Sequence, residues 1–144
     1  MPGKSEKIAA LIEQFRGQNH APHYLAYFDL FNRGLFYEAH DVLEILWLPQ
    51  RKAPKGDFYK GLIQLAGAFV HLQKNRLKPA AALLKLTRTN LKKFGDSYEE
   101  LGLSAVHQLT NRYLDVLVSS DYETNPLASV GPPRIHFHIS HAAS

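Results

Sequence analysis

The sequence predicts an all-α fold, a compact bundle of about six helices around one central apolar helix. Three observations lead there. Apolar residues recur at helical spacing through most of the chain, the breaks between these runs fall at Gly and Pro, and no segment combines strand alternation with hairpin signals. The chain has 144 residues and 45% hydrophobic content, enough for one core and little more.

Ser5 is placed to cap a first helix over residues 5–16, which Gly17 ends. Pro22, a favourable first-turn residue, opens a second helix carrying Tyr24, Tyr27, Phe28 and Phe31, with a stop at Gly34. These aromatics suit a core position better than a self-association patch. Residues 36–47 form the third helix. Pro49, Pro54 and Gly56, interspersed with Arg51, Lys52 and Lys55, mark an exposed loop. Asp57 reads as the cap of a long fourth helix over residues 57–75, and Pro79 opens a fifth over 79–94. Gly95 breaks the chain, a turn follows near Glu99, and a sixth helix covers 104–118. Residues 1–123 are expected to be the helical domain and 124–144 an extended C-terminal tail. Helices two and three faintly echo four and five, as in tetratricopeptide-like hairpins, but two units are too few for a solenoid.

Composition narrows the chemistry. Without cysteine there are no disulfides, thiolate metal sites or thiol nucleophiles, and any metal needs His, Asp or Glu ligands. The N-terminal stretch shows no signal peptide and the chain no membrane span, so a cytoplasmic protein is expected. A formal charge of +4 is mildly basic and falls short of a nucleic-acid footprint.

The most informative stretch is His40-Asp-Val-Leu-Glu44-Ile-Leu-Trp47. At 3.6 residues per turn, His40 and Glu44 are neighbours one turn apart and Trp47 continues their stripe. Chance weakens the pair alone, because 8 His and 13 acidic residues yield about one such spacing at random. A second helix adds to it. Helix four is apolar round nearly its whole circumference except at Gln64 and His71, seven residues apart on one stripe. Buried polar groups need partners, and His40 and Glu44 on the preceding helix are the natural candidates.

If these groups converge, His40, Glu44 and His71 make a two-His, one-carboxylate set for a divalent ion, with zinc, manganese or iron as candidates. Metal-bound water would then serve as nucleophile in a metal-dependent hydrolase, with Gln64 behind the ligands and Trp47 as an apolar wall. Glu44 is the candidate general base if no metal binds. The alternative is a non-catalytic helical interaction module in which the His/Glu/Gln cluster is a structural hydrogen-bond network. Its partner would be a protein or small molecule, with self-association as a further option. Lys85, Arg88 and Lys92 recur at helical spacing and are the candidate anion-binding stripe, although a solvated face explains them as well.

Near the C-terminus, His136, His138 and His141 alternate with apolar residues, and the expected arrangement packs Ile135, Phe137 and Ile139 inward with the histidines exposed. Phosphate-loop, nucleophile-elbow and HExxH signatures are absent.

The segment from Phe31 to His40, followed by Glu44 and Trp47, and then Gly61-Leu-Ile-Gln-Leu-Ala66 with His71, resembles the prokaryotic family called domain of unknown function 309. Its hallmark HxxxExxW is matched at His40, Glu44 and Trp47. The resemblance spans roughly residues 25–95, and Pro133-Arg-Ile135 is similar to the family's ending. It implies a compact helical fold and a motif suspected of binding metal, with Gln64 and His71 in the second matching block. The histidines after Ile135 lie outside the pattern.

Overall fold

Proline and glycine set the helix boundaries in the computed structural model, which describes residues 3–137. Helix α1 (Lys4–Ile12) continues into a 3-10 turn at Glu13–Phe15. Pro22 opens α2 (Pro22–Asn32), and Gly34, at φ +77°, lets the chain reverse so that the Leu35 amide bonds the Leu30 carbonyl. Helix α3 (Phe36–Trp47) follows, then α4 (Gly56–Gln73) and α5 (Leu77–Leu91). A 3-10 turn at Lys92–Phe94 carries α5 to its expected end. Helix α6 is Leu103–Ser119 and the short α7 is Pro126–Ser129, capped by the Asn125 side chain.

The all-α expectation holds. The departures from it are local. Gly3 precedes α1, and the side chain of Ser5 makes no cap bond. Asp57 lies inside α4 and pairs with Lys93 at 2.8 Å, so it does not cap the helix. Ser97–Tyr98 (β1) and Leu101–Gly102 (β2) form a two-residue antiparallel ladder that strand patterning did not show. Glu99 and Glu100 turn it with φ values of 50° and 60°, a conformation usually given to Asn and Gly. Outside interactions hold this turn: Lys55 pairs with Glu99 at 3.0 Å, and Tyr24 donates to the Glu99 carbonyl at 2.9 Å.

Helix α4 is central as expected, with α3 and α5 packed most extensively against it. Phe58, Leu62, Leu65, Ala66, Ala68 and Phe69 of α4 are fully buried. The aromatics of α2 are core residues, and Tyr27 donates to the Leu62 carbonyl at 2.6 Å, tying α2 to α4. Burial pushes the Tyr27 hydroxyl well above its ordinary pKa, so it acts here as a neutral donor.

The C-terminal segment runs back across the bundle. Asn32 receives the Ile135 amide at 2.7 Å and donates to the Ile135 carbonyl at 2.8 Å. Tyr113 donates to the Gly131 carbonyl, and Phe137 stacks on Phe28 with ring centroids 4.4 Å apart. Ile135 is buried and His136 exposed, as the alternation predicts. The corresponding expectations for His138, Ile139 and His141 fall outside the described residues.

Candidate functional site

Two neighbours of α4 divide the residues that the sequence places in one site. On α3, His40, Asp41 and Glu44 share the face turned toward α1. His40 Nδ1 is 3.1 Å from Asp41 Oδ1, and His40 Nε2 is 3.9 Å from Glu44 Oε2. The Lys4 ammonium reaches across from α1 to within 3.7 Å of Asp41 and 3.9 Å of Glu44. A cation from the chain itself thus stands between the two carboxylates. The His40, Asp41 and Glu44 side chains are each more than half covered by protein, whereas that of Lys4 is mostly exposed.

Gln64 lies elsewhere, on the seam between α4 and α5, and His71 sits in the last turn of α4. Gln64 accepts from Asn90 at 2.8 Å, Asn90 accepts from Lys93 at 3.2 Å, and Lys93 pairs with Asp57. This chain of polar groups closes on itself without α3. Glycines on the same side of α4 explain the geometry. A Cβ at Gly61 would lie 2.8 Å from the Leu91 side chain, and one at Gly67 would lie 3.3 Å from Leu83. Their missing side chains let α5 approach closely, so the side of α4 that carries Gly61, Gln64 and Gly67 meets α5. Burial, and then the Arg76 and Lys74 cations, lowers the His71 pKa, and its Nδ1 is buried without a hydrogen-bond partner among the described residues.

The donor set therefore does not fit the expected metal. Among the described residues, no group of three or more His, Asp or Glu side chains is placed to hold an ion, and His40, Glu44 and His71 are not gathered together. Trp47 packs against the core, and its buried indole N–H has no hydrogen-bond partner among the described residues. The basic stripe is partly engaged: Arg88 donates to Asn111 at 3.2 Å, whereas Lys85 and Lys92 are exposed. Burial, followed by Lys92 and Arg88, lowers the pKa of His107 on α6, which places that histidine beside the stripe.

Sequence reasoning missed the outer face of α3. Tyr37, Ile45 and Leu48 are 59%, 42% and 52% exposed, although large apolar side chains of a bundle normally turn inward. Their spacing, with Asp41 and Glu44 between them, makes one continuous row. A groove of about 290 Å³ runs beside it, lined by Lys4, Lys7, Ile8, Leu11, Tyr37, Glu38 and Asp41. The signal was available in the i, i+4, i+8 spacing of Tyr37, Asp41 and Ile45.

Fold and site together define a small helical bundle with an acidic and apolar helix face. Residues 24–83 match the model of a family described as a domain of unknown function, DUF309. The match covers α2, α3, α4 and the start of α5. No curated protein and no solved structure matches the chain. Among the described residues, no helix is long and apolar enough to cross a membrane.

Proposed function

We propose that this protein is a non-catalytic helical interaction module whose α1–α3 face docks a basic, amphipathic segment of another protein. The observation that carries the reading is the exposed row of Tyr37, Ile45 and Leu48 interleaved with Glu38, Asp41 and Glu44. Apolar anchors interleaved with acidic side chains are the kind of surface that a basic amphipathic helix can dock against. Lys4 already occupies the position between Asp41 and Glu44, as a partner's Lys or Arg would. A two-fold dimer through this face would set acids against acids, which favours a basic partner over a second copy.

The metal-dependent hydrolase reading has less support, because His71 stands apart from His40 and Glu44. Glu44 as general base lacks enclosure: its side chain is 41% exposed beside Lys4.

The test is titration of isotope-labelled protein with a synthetic Lys/Leu amphipathic helical peptide, followed by amide shifts. Saturable shifts are expected along α1 and the outer face of α3. Ile45→Asp and Glu44→Lys should each weaken binding by roughly tenfold. Lys4→Ala, which frees both carboxylates, should tighten it. Shifts confined to other surfaces, or unchanged affinity in Ile45→Asp, would overturn the reading. A zinc titration of the same sample that broadens His40, Glu44 and His71 together would restore the metal reading in its place.

A further inference from the structure

We propose that the groove between α6 and the C-terminal segment binds the phosphate group of a small organic phosphate monoester, held by Arg112 and Arg134. The groove has a volume of about 330 Å³ and is lined by Gln108, Leu109, Arg112, Val130, Pro132 and Arg134 among its residues, with no carboxylate among the described residues that line it.

The backbone makes this a positioned site. Residues 133–136 belong to neither helix nor strand, and burial alternates along them, so successive side chains turn to opposite sides. Pro133 and Ile135 are buried, and Arg134 and His136 are exposed on the opposite side. Anchors flank Arg134 in both directions: Tyr113 holds the Gly131 carbonyl before it, and Asn32 holds both backbone groups of Ile135 after it. Arg112 arrives from α6, one turn beyond Gln108 on the same stripe. Two separate elements thus bring an arginine each to the lining of one cavity.

Arg16, Arg33, Arg51 and Arg88 each donate a hydrogen bond to a protein oxygen. Arg112 and Arg134 make no hydrogen bond or ion pair among the described residues. Unpaired arginines converging on an acid-free groove give it a positive field, and their planar forks match oxyanions. Forks approaching from two elements suit a tetrahedral phosphate, which offers acceptors in several directions, better than one planar carboxylate. Leu109, Val130 and Pro132 supply an apolar wall for an organic body. The site is separate from the α1–α3 face and stands or falls without it.

Phenyl phosphate titrated into isotope-labelled protein tests the assignment, with inorganic phosphate, phenol and benzoate as controls. The expected result is saturable shifts at Gln108, Arg112 and Arg134. Affinity should rank phenyl phosphate above inorganic phosphate and benzoate, with phenol showing no saturation. Arg112→Gln and Arg134→Gln should each weaken binding by roughly tenfold, while Lys92→Gln leaves it unchanged. Arg112 lies on an exposed helix face, so its variant reports on binding even if Arg134→Gln disturbs the C-terminal segment. Equal binding of benzoate would overturn the phosphate assignment. Absence of saturable shifts, or shifts centred on Lys85 and Lys92, would overturn the site.

Discussion

Gly56 has the closest surroundings of any glycine in the chain, where the loop after α3 turns into α4. A Cβ there would lie 2.3 Å from the Arg51 carbonyl oxygen, a backbone atom that has no room to give. Gly56→Ala should therefore destabilise the fold by about 1 to 3 kcal/mol, the usual cost of forced overpacking, read as a lower urea midpoint at unchanged slope. A midpoint equal to the parent's would show that the loop yields. The sequence marks Gly56 only as a loop residue, because a close backbone contact leaves no periodic signature. The same contrast runs through the candidate site. The neighbourhood of His40 and Glu44 was legible, since helical spacing alone sets their separation, and their nearest charged atoms are 3.9 Å apart. The partner of Gln64 was not, because spacing on one helix says nothing about which neighbour its stripe will meet.

At the scale of elements, the C-terminal segment behaves as a strap whose clasp is Asn32. Its side chain satisfies both the amide and the carbonyl of Ile135, and Ile135 is only 3% exposed. Asn32→Ala leaves those backbone groups unpaired, at about 1 to 3 kcal/mol for each one that water does not reach. Hydrogen exchange at the Ile135 amide should then accelerate well beyond exchange in α4, which should be nearly unchanged. Equal acceleration in both would mean that the strap and bundle unfold as one unit. The inward placement of Ile135 was readable from alternation with Arg134 and His136. Its clasp was not, because Asn32 and Ile135 lie far apart in the sequence. The hairpin at Glu99 and Glu100 escaped detection for a related reason. Its turn carries none of the Asn or Gly residues that such backbone angles favour, and Lys55 and Tyr24 hold it from distant elements.

Across the whole molecule, His23, His71 and His107 all have pKa values lowered from the ordinary 6.5, in each case first by burial and then by nearby cations. The unfolded chain therefore takes up protons on these groups before the folded one does. Their contribution to stability is complete above about pH 6.5 and is lost as pH falls toward their folded values. Urea midpoints should decline from about pH 7.5 to about pH 5, and His71→Asn should make the decline shallower. A profile that rises with acidification would contradict the sign. By itself the sequence determined the helical class, the central place of the fourth helix and the i, i+4 pairing of His40 with Glu44. These follow from local periodicity, which each helix carries within its own residues. Only the tertiary structure decided that Gln64 faces α5, that Tyr37, Ile45 and Leu48 remain exposed, and that Arg112 and Arg134 line one groove. Those outcomes depend on how closely two helices approach and how they are rotated about their axes. That is set by the fit of facing surfaces, glycines 61 and 67 among them, and by which backbone groups the returning C-terminal segment can satisfy.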